Sequence, residues 1–477
     1  MKQIVVLGGG ISGYGSAILA KKKGFDVFLS DMGKIADRYK AKLDEWQVPY
    51  EEGGHTEERI LAAHEVVKSP GIPETAPIVR KIRAAGIPVI SEMEFAGRYL
   101  GRSKCICITG SNGKTTTTSL IYKIMRDAGM NVALGGNIGE SFAYSVATGN
   151  YDWYVLELSS FQLDGMFRFR AHIGVLMNIT PDHLHWHRSF EAYRDAKLKL
   201  LANLPGVPGA VAVLDATNDV VRAEVRRLRA LDAGERGFSY VPLGTAAGLT
   251  GDMRAACGSD NAAFLDADGT LRVALNGAEH AAARVEELQI KGEHNASNAL
   301  AVAAAALALG VHESDVAEGL RTFAPLEHRI EPCGSVAGVR CYNDSKATNV
   351  DATLKALAAF PETRPVVLLG GDDKGTDLAP LVEAAHAHAG AVVCFGDAGE
   401  RLAAAFEAAD AQAPAGFAAA RAAHLADAFD AALALASAGD VVLLSPACAS
   451  FDEFGSFEER GAAFKTLVAD AASALGA

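Results

Sequence analysis

Short apolar runs alternate with longer amphipathic stretches along most of the chain. The first run, "IVVL" in "KQIVVLGGGISGYG", is followed by a glycine turn, a helical stretch and a second apolar run that ends at Asp31. Apolar runs of about four to eight residues bounded by glycine are typical of strands buried in a parallel sheet. Their alternation with helical stretches predicts an α/β fold.

The alternation recurs in three segments and predicts three domains, because a chain of 477 residues is too long for one hydrophobic core. We predict a Rossmann-like domain at residues 1–93, a central domain with a mostly parallel, P-loop ATPase-like sheet at 94–325, and a second Rossmann-like domain at 326–477. Residues 231–290, rich in Gly, Ala and Asp, predict short strands and turns without assigned chemistry. The alanine-rich "NALAVAAAALALGV" (298–311) predicts a buried helix.

Charge and composition exclude several classes of function. The formal net charge of −13 argues against non-specific binding to nucleic acid. No apolar run reaches the about 18 residues that span a membrane, and glycines interrupt the N-terminal run before a signal-peptide core forms. Seven scattered cysteines without a Cys-x-x-Cys pair favour reduced thiols. These features favour a cytoplasmic protein that binds neither nucleic acid nor a membrane.

The N-terminal glycine turn predicts a diphosphate site. Gly8, Gly10 and Gly13 match G-x-G-x-x-G between a strand and a helix, and Asp31 follows at the distance of a ribose-binding acid. Such a turn directs backbone N–H groups and a helix N-terminus at the phosphates. Taken alone, this match leaves an NAD-dependent oxidoreductase open.

A second glycine loop, "ITGSNGKTTTTSL" (108–120), predicts an ATP site in a shortened form. Ile108 stands where the usual motif has its first glycine, and Gly110 leads instead. Strand, loop and helix in this order still gather amide donors and the positive helix end at one place. Lys114 can reach a β/γ-phosphate, and Thr115 can offer its hydroxyl to Mg²⁺. The predicted ATP-binding residues of the loop are Gly110, Ser111, Asn112, Gly113, Lys114, Thr115 and Thr116.

The shortened loop resembles that of the ATP-dependent muramyl ligases and of their relative folylpolyglutamate synthase. Other motifs of this family follow in the expected order over nearly the whole chain. They are "GGNIG" (135–139), "LELSSFQL" (156–163), "NITPDHL" (178–184), "YRDAKLKL" (193–200), "GEHNASNALAV" (292–302), "HRIE" (328–331), "NDSKATN" (343–349), "LLGGDDKG" (368–375) and "SPACASFDEFGSFEERG" (445–461).

The resemblance implies an amide ligase. In the family, the γ-phosphoryl of ATP passes to a substrate carboxylate, an amine attacks the acyl phosphate, and ADP and phosphate are released. The last motif and the N-terminal glycine motif together resemble the members that add D-glutamate to UDP-N-acetylmuramoyl-L-alanine in peptidoglycan precursor synthesis. Two like unit charges 4 Å apart repel by about 1 kcal/mol in water and about 4 at an effective dielectric near 20, so cations must accompany this reaction.

The resemblance also implies two Mg²⁺ ions. Thr115 and Glu157 are the expected ligands of the ion that bridges the ATP phosphates. His183 and Lys197, the latter carbamylated by CO₂, are expected to hold the second ion, and a carbamylated lysine requires a neutral, desolvated amine. Lys199 serves as an internal control. A zinc site made by the alternate histidines of "DHLHWH" has no fixed geometry, and the role of His185 stays open.

The remaining expected contacts come from all three predicted domains. Asn295 is expected near the adenine, Arg329 and Asp344 near phosphate and ribose, and Lys346 at the transferring phosphoryl group. The UDP-sugar is expected against Gly10, Ile11, Ser12, Asp31, Ser69 and Asn137. Glutamate is expected against Thr348, Lys374, Ser450, Phe451 and Phe457, although Phe451 is equally compatible with a core position. Each of these residues, read alone, is compatible with a structural role.

Because ATP, UDP-sugar and glutamate would bind different domains, we expect the third domain to close on its ligands about a hinge near residues 324–326.

Three alternative functions remain. Other ligases of the family lack "SFDEFGSFEERG", and folylpolyglutamate synthase has no leading nucleotide-like domain. An oxidoreductase leaves the GKT loop unexplained. A non-catalytic nucleotide-binding protein would be expected to lack some of the metal or phosphate ligands.

Overall fold

The computed structural model describes residues 2–244, 248, 259–290, 292–373, 375–410 and 417–475, except for the side chains of His185 and Leu475. It contains three sheets of α/β type, which confirms the predicted class. The chain forms two compact units: the first is Met1–Leu288 with Asn295–Phe323, and the second is Gln289–His294 with Ala324–Ala477. The predicted domain limits at residues 93 and 325 stay predictions. Within the described residues, no helix is long and apolar enough to cross a membrane.

The first sheet has five parallel strands in the order β3-β2-β1-β4-β5. Its strands are β1 (Gln3–Leu7), β2 (Asp26–Asp31), β3 (Tyr50–Glu52), β4 (Glu65–Lys68) and β5 (Val89–Ile90). Its helices are α1 (Ile11–Lys22), α2 (Asp37–Glu45), α3 (Glu57–Leu61), α4 (Pro77–Ala84) and α5 (Glu92–Gly97). The apolar run of β1 is buried from Ile4 onward because β1 lies in the middle of a parallel sheet, whose crossover helices cover the faces from which the side chains project.

The second sheet has nine strands in the order β14-β13-β12-β11-β10-β9-β6-β8-β7. Its strands are β6 (Lys104–Thr109), β7 (Val132–Gly136), β8 (Trp153–Glu157), β9 (Ile173–Leu176), β10 (Val211–Asp215), β11 (Ser239–Leu243), β12 (Ala262–Leu265), β13 (Thr270–Leu275) and β14 (Ala278–Arg284). Strands β6 to β11 pair in parallel, whereas β12, β13 and β14 form an antiparallel extension. The described part of 231–290 thus contains the predicted short strands.

The helices of this part of the chain follow the strands. They are α6 (Lys114–Asp127), α7 (Phe142–Thr148), α8 (Ser160–Asp164), α9 (Leu184–His187), α10 (Phe190–Ala202), α11 (Asp219–Arg229), α12 (Ala233–Arg236), α13 (Glu293–Ala308) and α14 (Glu313–Thr322). Residues 296–307 of α13 are all buried, which confirms the buried helix predicted from its alanine-rich sequence.

Two buried glutamates of α5 join the first sheet's helices to the central part of the chain. Glu92 Oε1 accepts hydrogen bonds from Ser141 Oγ and from the N–H of Ala143 at the start of α7. Glu94 Oε2 accepts from three consecutive backbone N–H groups, those of residues 167–169. These hydrogen bonds from backbone and hydroxyl donors to Glu92 Oε1 and Glu94 Oε2 hold both segments in place against α5.

The third sheet has six strands in the order β15-β16-β20-β17-β18-β19, parallel except for the β15–β16 pair. Its strands are β15 (Glu331–Val336), β16 (Val339–Asn343), β17 (Val366–Gly370), β18 (Ala391–Phe395), β19 (Ala418–Arg421) and β20 (Val441–Ala447). Its helices are α15 (Val350–Ala358), α16 (Ala379–His388), α17 (Gly399–Asp410), α18 (Leu425–Leu435) and α19 (Phe457–Leu475). The three apolar runs of the sequence form its central strands β17, β18 and β20.

Candidate active site

The loop between β6 and α6 has the backbone of a phosphate-binding loop. Gly110 has φ 156° and Gly113 has φ 84°, both values that favour glycine. A Cβ on Gly110 would lie 2.8 Å from Met177 Cβ, and one on Gly113 would overlap Asn298 Oδ1. Helix α6 begins at Lys114, directly after Gly113. The positive N-terminal end of α6 and its backbone N–H groups therefore face the shortened loop, as phosphate binding requires.

Gly113→Ala is expected to destabilise this loop and to abolish tight ATP binding. The added Cβ meets both an unfavourable φ and the Asn298 side chain, and strain of this kind costs on the order of 1–3 kcal/mol. Gly129→Ala, after the other end of α6, is the matched control, because Gly129 has φ 77° but open space around it. Thermal unfolding would measure the loss of stability. ATP titration should show a loss of ATP binding for Gly113→Ala only. Equal ATP affinities in the two variants would contradict the assignment of the loop.

Two lysines converge on the carbonyl oxygen of Gly110. Lys114 Nζ donates to Gly110 O at 2.9 Å and to Ser111 O at 2.8 Å. Lys197 Nζ, from the middle of α10, donates to the same Gly110 O at 2.7 Å. The sequence separates these lysines widely, and the fold brings both to one atom of the phosphate loop.

Lys197 is buried, with 2% of its surface exposed. Burial holds the pKa of Lys197 well below the usual lysine value, and the positive charge of Lys114 lowers it further, while Asp182 and Glu157 act in the opposite direction. A neutral amine is the form that reacts with CO₂, so this environment suits the predicted carbamate. Lys199, in contrast, forms an exposed ion pair with Asp164.

Glu157 ends β8 beside the phosphate loop and carries a buried atom without a partner. Its Oε1 accepts from Asn137 Nδ2 at 2.8 Å, and its backbone oxygen accepts from Asn137 N. Its Oε2 is buried and has no hydrogen-bond partner. An orphaned carboxylate oxygen suits a divalent cation, so these residues fit the predicted metal site. Thr115 lies in the first turn of α6. This helix follows β6, the strand that pairs with β8, so Thr115 and Glu157 come from neighbouring strands.

His183 lies in a polar and aromatic cluster after β9. Its backbone has φ 52°, its N–H donates to Asp182 Oδ1, and its ring packs 5.0 Å from that of Phe161. Tyr193 joins the cluster to the phosphate loop, because its hydroxyl lies 2.8 Å from Ser111 Oγ and Lys197 Nζ sits over its ring. Sequence reasoning gave no role to Asp182 or Tyr193, although both lie within quoted motifs.

Asn112 and Asn295 complete the part of the site that the first unit contains. Asn112 N–H donates to Asn178 Oδ1, and Asn178 Nδ2 donates back to Asn112 O. Asn295 Oδ1 accepts from Asn298 Nδ2, whose own Oδ1 lies against Gly113. Thr116, the last of the predicted loop residues, is buried in α6. The predicted adenine contact is thus linked through one side chain to the phosphate loop.

The N-terminal glycine turn connects β1 to α1 as predicted, but the carboxylate of Asp31 is hydrogen-bonded to the backbone of the protein itself. Its two carboxylate oxygens accept from the N–H groups of Gly9 and Gly33. A Cβ on Gly13 would overlap Gly8 O, so α1 packs on β1 only with glycine there. Gly10, Ile11 and Ser12 form the start of α1, with the first two exposed, and Ser69 packs on Gly8. Contacts of these residues with a UDP-sugar stay predictions.

In the second unit, Asp344 is a buried carboxylate among neutral donors and cations. Its Oδ2 accepts from Ser445 Oγ and its Oδ1 from the N–H of Ile330. Burial raises the pKa of Asp344 to about 7, although these hydrogen bonds, Arg329 and Arg460 lower it in part. Both oxygens are therefore engaged by the protein, and a contact with ribose stays a prediction.

Asp344→Asn is expected to stabilise the protein more at pH 8 than at pH 5. With a folded pKa near 7 and an unfolded value near 3.9, the folded state holds a proton that the unfolded state has lost. Stability from this group therefore falls as pH rises through that window, by up to about 4 kcal/mol. Melting temperatures against pH would check this, with the exposed Asp430→Asn as control. A pH-independent difference between Asp344→Asn and the parent would refute it.

The predicted glutamate residues fall into different environments. Phe457 begins α19, and Lys346 Nζ lies 3.5 Å from the centre of its ring. Ser450 is buried, and the N–H of Thr348 donates to Lys346 O. Phe451 is 70% exposed, so its alternative reading as a core residue is wrong. Lys374 lies outside the described residues.

Comparison with known proteins agrees with this arrangement. Residues 2–91 match the MurD-like N-terminal domain of Mur ligases, 108–306 the Mur ligase middle domain, and 328–448 the Mur ligase, glutamate ligase domain. The fold and site therefore define a three-domain Mur ligase. The UDP-N-acetylmuramoylalanine–D-glutamate ligase of Bacteroides fragilis is 44% identical over 474 residues, covering 98% of this chain and 99% of its own. That of Porphyromonas gingivalis is 40% identical over 466 residues, covering 98% of each chain. The chain belongs to the UDP-N-acetylmuramoylalanine–D-glutamate ligase family.

Solved structures show the same fold at lower identity. A pseudomurein peptide ligase type C from Methanothermus fervidus has a TM-score of 0.60 at 19% identity, covering 98% of this chain and all of its own. The MurF structure from Acinetobacter baumannii has a TM-score of 0.59 at 16% identity, covering 94% of this chain and 91% of its own. At these identities the likeness concerns the fold alone.

Proposed function

We propose that the protein joins D-glutamate to UDP-N-acetylmuramoyl-L-alanine, using ATP to convert the substrate carboxylate to an acyl phosphate. The observation that carries the proposal is the convergence of Lys114, Lys197 and the unpartnered Glu157 Oε2 around the phosphate loop. The full-length similarity to UDP-N-acetylmuramoylalanine–D-glutamate ligases supports the choice of substrates. We expect a monomer acting in the cytoplasm.

The loop residues bind and orient the triphosphate. Backbone N–H groups at the start of α6 and Lys114 neutralise charge on the β- and γ-phosphates. Thr115 and Glu157 would hold one Mg²⁺, and His183 with a carbamate on Lys197 would hold a second. When bound, the ions offset the repulsion between the phosphates and the incoming carboxylate.

The second unit would supply the remaining charge and the amino acid site. Arg329 and Lys346 are the cations proposed to stabilise the transferring phosphoryl group. Thr348, Lys374, Ser450 and the start of α19 at Phe457 would hold glutamate, and the amine then attacks the acyl phosphate. Closure of the C-terminal part about residues 324–326 would exclude water from this intermediate.

Phosphate release from ATP tests the proposal. The protein is supplied with Mg²⁺, bicarbonate and UDP-N-acetylmuramoyl-L-alanine, together with D-glutamate, L-glutamate or neither. Release that requires both the nucleotide-sugar and D-glutamate is expected. Release with L-glutamate alone would keep the mechanism and change the product, and no release with either would refute the function.

A further inference from the structure

Arg460 is the largest fully buried side chain in the described part of the protein, with 0% exposed. It lies in the first turn of α19, in the sequence "FEERG", where charged residues usually face solvent. No carboxylate within the described residues lies at ion-pair distance from it. Burial lowers its pKa to about 10, so the guanidinium stays positive at neutral pH.

The guanidinium is hydrogen-bonded to three loops at the carboxyl ends of strands. Nη2 donates to Ser345 O at 2.9 Å and to Cys448 O at 3.0 Å, and Nη1 donates to Ala449 O at 2.9 Å and Gly370 O at 3.4 Å. Nε donates to Ser345 Oγ at 3.0 Å. These acceptors follow β16, end β17 and follow β20, so one planar side chain ties the three loops together.

The surrounding backbone is adapted to this side chain. Gly371 has φ 126°, and a Cβ there would overlap Ala449 O and lie 2.8 Å from Arg460 Nη1. Ala447, just before the tied carbonyls, has φ 60°, a value that an alanine adopts only when its surroundings impose it. The Ala449 carbonyl faces the guanidinium, so in a trans peptide the N–H of Ser450 points away from it. Arg460 thus sets the direction of the peptide that precedes the Ser450 side chain.

We propose that Arg460 is a positioning residue that holds the loops at 345–348, 370–371 and 448–450 in the arrangement that binds the acidic amino acid substrate. The inference rests on the proposed function, because it assigns glutamate to these loops. Arg460 acts through Ser345, which also donates from Oγ to Phe457 O, and through the Ala449–Ser450 peptide. It does not itself touch the substrate.

The variant Arg460→Lys tests the proposal in the full-length enzyme. Lysine keeps the positive charge, but its single ammonium group lacks the planar set of N–H donors that reaches carbonyl oxygens of three loops at once. The KM for D-glutamate is expected to rise about 10- to 100-fold, with kcat and the KM for ATP changed less than about threefold. Arg421→Lys, at an exposed arginine paired with Glu407, is the control and should leave all constants unchanged.

Two further measurements keep the test decisive. Ser345→Ala removes one acceptor of Arg460 with little change of volume and should raise the KM for D-glutamate several-fold even if Arg460→Lys folds poorly. Hydrogen exchange without substrates should be faster at residues 446–454 in Arg460→Lys, and this outcome does not depend on ligase activity. Unchanged exchange, or equal changes in the KM values for ATP and D-glutamate, would overturn the inference. Failure of the parent enzyme to use D-glutamate would instead refute the proposed function.

Discussion

Replacing Lys197 by alanine is expected to reduce ligation on the order of a hundredfold or more while leaving the protein folded. In the proposed mechanism, carbamylation turns the buried amine of Lys197 into an anionic metal ligand beside Gly110 and Glu157. The alanine variant has neither the carbamate nor the hydrogen bond to Gly110 O. Steady-state phosphate release at saturating ATP, D-glutamate and nucleotide-sugar would measure the loss.

Lys199→Ala is the matched control for this experiment. Lys199 lies on the same helix, two residues further on, and its amine forms an exposed pair with Asp164, which contributes little. Activity within about twofold of the parent is expected there. Mass spectrometry in bicarbonate should also detect the carbamate on the parent and not on Lys197→Ala. Full activity of Lys197→Ala would exclude the carbamate mechanism and leave only a structural role for the lysine.

Replacing Glu157 by glutamine is expected to abolish Mg²⁺-dependent ATP turnover without lowering stability. The amide keeps an oxygen that can accept from Asn137, but it removes the charge at the position of the unpartnered Oε2. A divalent cation then loses a hard anionic ligand, whereas the folded protein no longer buries an unpaired carboxylate oxygen. ATP turnover against Mg²⁺ concentration and thermal unfolding without ligands would measure the two effects.

Glu92→Gln separates a metal role for Glu157 from the general effect of removing a buried charge. Glu92 Oε2 is also buried without a partner, and burial raises the pKa of Glu92. Both variants are therefore expected to keep or gain stability, but only Glu157→Gln should lose Mg²⁺-dependent ATP binding. Loss of that binding in both variants would mean that Glu157 does not act as a metal ligand.

The sequence predicted the features of the fold that depend on local pattern. The phosphate loop was predictable because glycine, lysine and helix start lie within a few residues of one another. In the third sheet, the apolar runs revealed β17, β18 and β20 but not β15 or β19. These edge strands, "EPCGSV" and "AAAR", have largely exposed or half-buried side chains and therefore no continuous apolar run.

Contacts between residues that lie far apart in the sequence could not be predicted from local sequence patterns. Lys197 in "RDAKLKL" has the pattern of a solvated helical lysine, and only family resemblance gave it a role. Its contact with Gly110 O spans 87 residues. Asp31 was expected to face a ribose, yet nearby backbone N–H groups engage both its oxygens. Arg460 lies in a run of charges that predicts a solvent-facing turn, and its acceptors come from three distant loops.

The C-terminal compact unit is not one continuous piece of chain. It contains Gln289–His294, so the division between units passes through α13 between His294 and Asn295. A gene fragment beginning at codon 324 would encode an incomplete unit, because it would omit the residues that start α13. Exchange of C-terminal parts between related ligases would have to move two separate stretches of coding sequence together. A recombination that moved only the longer stretch would combine Gln289–His294 of one parent with the rest of the unit from the other.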